Sequence, residues 1–146
     1  MKVIKYIIGV LLLLGSITTW AQDKDAIMGK WLNQDASAHI TIFQQGGKYQ
    51  GRIVWLKEMK DERGNPKMDK NNPVVAMRRR PIIGTEILKG FSYSGDNVWE
   101  GGTIYDPRTG KTYSCKITLA NANKLDVRGF VGFSMLGRTE SWSRVR

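Results

Sequence analysis

Few residues in this chain are of types that could carry chemistry. One Cys and one His occur in 146 residues, so neither an internal disulfide nor a two-His metal site has its parts. Cys115 stands in Tyr113-Ser114-Cys115-Lys116-Ile117-Thr118-Leu119, whose alternation sets it with Tyr113, Ile117 and Leu119 on an apolar face. That is the setting of a buried free thiol behaving as a small hydrophobe, without the neighbouring base a nucleophile needs. His39, in Ala38-His39-Ile40-Thr41-Ile42-Phe43, shares a face with Thr41 and Phe43, and the sequence places no partner to orient it as a general base. Glu58, Asp61 and Glu62 sit in a charged stretch, and only Glu86 and Glu100 stand among apolar neighbours, which leaves a two-carboxylate hydrolase thinly provided. Gly110-Lys111-Thr112 has Tyr105 where a phosphate-binding loop has glycine, and Asp69-Lys70-Asn71-Asn72 has Val74 where a calcium loop turns on glycine. These residues assemble no catalytic set, no metal site and no cofactor site.

The elements that would position any site are strands. From Gly29 onward the apolar period is two and almost nowhere 3.6. The pattern predicts strands at Lys30–Asn33, Ala38–Gln44, Lys48–Lys57, Gly90–Ser94, Val98–Tyr105, Thr112–Leu119, Lys124–Phe130 and Arg138–Val145, most of them rich in β-branched and aromatic residues. Gln45-Gly46-Gly47-Lys48 supplies the positive φ angles of a tight hairpin turn, and Asp106-Pro107-Arg108-Thr109-Gly110 sets Pro and Gly where a longer turn wants them. Sequential antiparallel strands with short links make an up-and-down sheet, and closing it into a small barrel removes its edges. Residues 58–81 interrupt the series with three Pro, four acidic and seven basic residues and no hydrophobic period. Residues 82–89 after them read as a short helical turn or an irregular strand.

The first residues have a different grammar. Lys2 and Lys5 precede the apolar run Tyr6–Leu14, and Thr19-Trp20-Ala21 ends in a small-x-small site before Gln22. The expectation is a signal peptide over 1–21, cleaved to leave one domain over 22–146 in the periplasm or outside the cell; the run is short for a spanning helix. Of 23 basic and 13 acidic residues, the leader holds two lysines and no acid, so the remainder carries a net +8. Arg78-Arg79-Arg80 before Pro81 is the densest charge, and in a cytoplasmic protein it would suggest nucleic acid. Export turns that reading toward anionic components of a bacterial envelope, with a solvated face as the plainer alternative.

Gly29-Lys30-Trp31 opens the first strand and Trp142-Ser143-Arg144 lies on the last, which become neighbours in a closed barrel. Trp31 is expected against Arg144 or Arg138 there, an arrangement worth roughly 0.5–2 kcal/mol. The pair resembles the Gly-x-Trp and distal Arg signature of lipocalin-like barrels. Longer blocks carry a wider resemblance: Gly51-Arg52-Ile53-Val54-Trp55-Leu56, Arg80-Pro81-Ile82-Ile83-Gly84, Trp99 through Pro107, Gly110-Lys111-Thr112-Tyr113, Arg128-Gly129-Phe130 and Gly137-Arg138-Thr139 with Trp142. In that order they are similar to the bacterial exported family named domain of unknown function 2147, over about residues 29–145. The resemblance implies an all-β, lipocalin-like barrel in the cell envelope and no settled activity. Members of that family with Cys flanking this hairpin have them where this chain has Gln44 and Gln50, so no disulfide transfers here.

These observations favour a noncatalytic binding module for a small amphipathic or hydrophobic ligand held at the barrel mouth or interior. The residues expected to bind it are Trp55, Trp99, Tyr105 and Tyr113 for apolar contact, with Arg52 and Arg128 for an anionic head. Each Arg stands beside Gly in an apolar strand, where burial would demand a partner, and Glu86 and Glu100 are the chain's own candidates. Trp31, Trp142 and Arg144 are expected to close the barrel. The rival is an interaction protein holding envelope polyanions or a protein partner through its basic surface, with Arg78, Arg79 and Arg80 as the anion-binding face. An enzyme is the third reading, and would need an acid and a base converging at a cleft. Neither nucleic acid nor an integral membrane location is expected.

Overall fold

Alternation of inward apolar and outward polar side chains is what the structure, a computed structural model describing residues 23–146 without the Ser134 side chain, turns into a barrel. The leader over 1–21 and the start at Gln22 lie outside the described residues. The strands are β1 (Gly29–Leu32), β2 (Ala38–Gln45), β3 (Lys48–Leu56), β4 (Glu86–Gly95), β5 (Val98–Asp106), β6 (Lys111–Asn121), β7 (Lys124–Phe130) and β8 (Gly137–Arg144). Each pairs antiparallel with the next, and β8 returns to β1 through Trp31 opposite Arg144 and Leu32 opposite Ser143. The result is a closed, eight-stranded, up-and-down β-barrel.

The turns follow their residues. Gly46 and Gly47, at φ 60° and 75°, join β2 to β3, and Asp96 and Asn97, at 53° and 59°, join β4 to β5. Two consecutive positive φ angles match the twist of the flanking strands, and Gly, Asp and Asn tolerate them best. Several bulges shift the pairing, and those in β3 and β5 change the phase of the pattern where expected ligand residues stand. Val54 is the extra residue between the pairs Ile40–Ile53 and His39–Trp55, while Glu100 and Gly101 together face one residue between Trp99–Ile117 and Gly102–Cys115. β4 begins at Glu86, four residues before its expected start: Arg52 already pairs with Glu86, and Gly51 with Leu88. Residues 86–89 are therefore strand and not a helical turn, and an irregular one, since the register slips between the pairs Arg52–Glu86 and Gly51–Leu88.

The core fills one end. Trp31, Trp99, Ile27, Leu88, Phe91, Ile117 and Leu125 are buried. Across that end lies Asp23–Met28, held by its own backbone carbonyls: Trp31 Nε1 donates to Ile27 at 2.8 Å and Trp99 Nε1 to Lys24 at 2.9 Å. The other end carries the β1–β2, β5–β6 and β7–β8 connections and the long segment 57–85, and stays open.

Candidate functional site

At the open end the strands enclose a cavity of about 770 Å³. Its wall is apolar: Ile40, Ile53, Ile87, Ile104, Val127 and Trp142 face into it. Its rim is charged with both signs, from Lys57, Glu58 and Lys67 on the long segment, Asp35 and Arg108 on the turns, and Arg138 and Glu140 on β8. The β8 pair follows from counting in twos. Trp142 faces inward opposite Leu125, so Glu140 and Arg138, opposite Val127 and Gly129, lie on the same face nearer the mouth. Trp142 Nε1 donates to Glu140 Oε2 at 3.2 Å, which fixes the indole against the wall.

Segment 57–85 forms one side of the mouth and is ordered by specific bonds. Isolated bridges link Lys60 with Pro66 and Met68 with Pro81. Asp69, 2% exposed, accepts from the Tyr105 hydroxyl at 2.7 Å and from Asn72 Nδ2 at 2.8 Å. Burial, then that bond, pushes the Tyr105 phenol well above its usual range. Asn71 Nδ2 reaches the Pro107 and Arg108 carbonyls, and its own carbonyl lies 1.9 Å from where a Cβ on Gly110 would stand, so only glycine lets the segment seat on the β5–β6 turn. On the rim, Ser37 donates to Asp35 and holds that carboxyl below its ordinary range, while the Asp106 carboxylate beside Arg108 raises the guanidinium's.

The expected ligand set divides. Tyr105 and Tyr113 line the cavity. Arg52 does not: it faces outward between the inward Gly51 and Ile53, 3.2 Å from Glu86 and over the Phe43 ring at 5.0 Å. Trp55 is also outside, because the Val54 bulge flips its phase and stacks it on His39 with centroids 4.5 Å apart. Arg128 lies on the outer face between inward Val127 and Gly129, donating to Thr139 Oγ1 at 2.9 Å. Glu100 stands on β5, with β6 between it and the strand of Arg128. Trp99 is buried at the closed end beside Tyr49 and Tyr93, away from the cavity. The arginine at the cavity mouth that sequence reasoning passed over as a ligand contact is Arg138, and the inward phase of Trp142 was the signal for it.

At the closing strand the Arg144 guanidinium sits 4.3 Å over the Trp31 ring and donates to the carbonyls of Ala26, Met28 and Ala122. Trp142, expected beside them, instead belongs to the cavity wall. Arg78, Arg79 and Arg80 lie exposed on the outside of segment 57–85, where Arg78 Nε donates to the Asn72 carbonyl at 2.8 Å. Among the described residues no helix is long and apolar enough to cross a membrane.

Comparisons with known proteins agree with this architecture. A solved Helicobacter pylori structure, titled as protein HP1028 belonging to the lipocalin family, superposes with a TM-score of 0.70 at 25% identity, covering 82% of each chain. No curated protein matches significantly. The profile of the family described as uncharacterized protein conserved in bacteria, domain of unknown function 2147, matches residues 29–144, which takes in all eight strands; the chain belongs to that family, as a lipocalin-like β-barrel.

Proposed function

We propose that this protein is a noncatalytic binding module whose barrel takes one small amphipathic or hydrophobic ligand. The observation that supports it most strongly is the cavity itself, about 770 Å³, apolar along its wall and charged only at its mouth. That size is in the ordinary range for a small-molecule pocket. An apolar body would lie against Ile40, Ile53, Val127 and Trp142, and an acidic head would meet Arg138, with Lys57 and Lys67 on the facing rim. The lipocalin-family title of the Helicobacter pylori relative is in keeping with this reading. The leader grammar of residues 1–21 adds a location, the periplasm or the exterior of the cell, reached after cleavage before Gln22.

Titration with a series of fatty acids and the matching alcohols, read by intrinsic Trp fluorescence, tests the assignment. Saturable binding of the acids is expected, weakened about tenfold or more in Arg138→Gln, since a charge-assisted bond to a carboxylate is worth roughly 1.5–3 kcal/mol. Arg128→Gln, on the outer face, should bind as the parent does. No saturable response to either series would reject the reading. N-terminal sequencing of exported protein checks the location, where recovery of intact Met1 would contradict it.

A further inference from the structure

The connection between β7 and β8 departs from the inward placement of apolar side chains. Val131, Phe133, Met135 and Leu136 are 69%, 76%, 86% and 74% exposed. Val131 and Leu136 also border the cavity mouth, so the apolar tip stands on its rim. Soluble proteins seldom leave a contiguous apolar patch in water unless something docks on it.

What surrounds the tip is basic. Met135 shares a shallow outer depression with Lys116 and Arg128, and Arg138 follows the tip on the inner side. Asp126, the acid in that depression, is 3.7 Å from Lys124. Residues 23–146 carry 21 basic and 13 acidic groups, a net +8. Apolar side chains that can enter the acyl boundary, inside a collar that attracts anionic headgroups, are the two components of interfacial membrane binding. A second copy of this chain suits the tip less well, because it would bring the same basic collar against itself.

We propose that the β7–β8 loop docks the open mouth of the barrel on an anionic lipid bilayer. Phe133, Met135 and Leu136 enter the interface while Lys116, Arg128 and Arg138 lie at headgroup level. The cavity then opens toward the membrane. This goes beyond the ligand assignment and does not depend on it: the two share Arg138, but docking rests on the Phe133, Met135 and Leu136 tip, to which the ligand assignment gives no contact.

The test uses protein processed by its host from the full chain, with vesicles of equimolar phosphatidylglycerol and phosphatidylcholine. Parent and variants share one N terminus, so a difference between them reports the loop. Cosedimentation should show binding that falls when salt rises from about 0.1 M to about 1 M, which shortens the Debye length from about 10 Å to about 3 Å. Phe133→Ser with Leu136→Ser should weaken it about tenfold or more at unchanged melting temperature. Phe133→Cys carrying an environment-sensitive dye adds a direct reading, because Cys115 is 1% exposed and escapes the label. Its emission should shift to the blue on anionic vesicles. No binding by the parent, equal binding by the double variant, or a dye that still reports water on bound protein would overturn the proposal. So would a blue shift without vesicles that grows with protein concentration, which would assign the tip to self-association.

Discussion

Trp31 shows how much one side chain can settle. Fully buried, it lies under the Arg144 guanidinium, and its indole nitrogen is satisfied by Ile27. Trp31→Ala should cost about 3–5 kcal/mol as a large buried truncation, measured by denaturant unfolding; a loss below about 0.5 kcal/mol, the size typical of surface positions, would contradict the closure geometry. Desolvation raises the Cys115 thiol to about 12, and burial followed by a bond to Asp25 raises the Tyr49 phenol to about 12. Both groups hold their protons more tightly folded than unfolded, so their stability is present below the unfolded values of 9.0 and 10.0 and is lost as pH rises toward 12. Unfolding midpoints should therefore fall on the alkaline side of about pH 9, less steeply in Cys115→Ala, and a midpoint independent of pH there would contradict these environments. At this scale the sequence was readable wherever alternation ran unbroken, as at Cys115 and His39. It misled at Arg52 and Arg128, where a neighbouring Gly suggested burial although Ile53 and Val127 already set the inward phase.

Among the elements, the regular strands were legible and the irregular segments were not. β2 and β7 carry their own period, whereas the first four residues of β4 read poorly because Ile82-Ile83-Gly84 ahead of them does not alternate. The bulge at Val54, which puts Trp55 outside, leaves no mark in local composition. Asp23–Met28 is short and shows no period, yet it covers the closed end through buried Ile27 and through carbonyls that only the tertiary arrangement brings to Trp31, Trp99 and Arg144. Residues 58–81 looked structureless for the same reason: their bonds to Tyr105, Pro107 and Arg108 are nonlocal. Gly110 is the keystone of that contact, at φ 72° against Asn71. Gly110→Ala should cost about 1–3 kcal/mol in strain and speed amide exchange across 57–85 more than in the strands. Exchange unchanged in that segment would show that the seat on the β5–β6 turn does not order it.

For the whole molecule, closure of eight antiparallel strands follows from period and turn chemistry, while the cavity follows from an unequal distribution of bulk along the barrel axis. Trp31, Trp99, Phe91 and Tyr49 crowd the closed end, and Ala38, Ile40, Val127 and Gly129 leave the open end unfilled. Gly129 offers the means to test that account directly. Its missing side chain would point past Ile104 and Tyr113 at ordinary contact distances of 3.5 and 3.7 Å, so a larger residue there enters the cavity without displacing the wall. Calorimetric titration of dodecanoic acid into the parent and into Gly129→Leu is the measurement. The account predicts saturable binding by the parent and none by a Gly129→Leu protein that unfolds at the same temperature or higher; equal binding by both would place the ligand outside the barrel and contradict it.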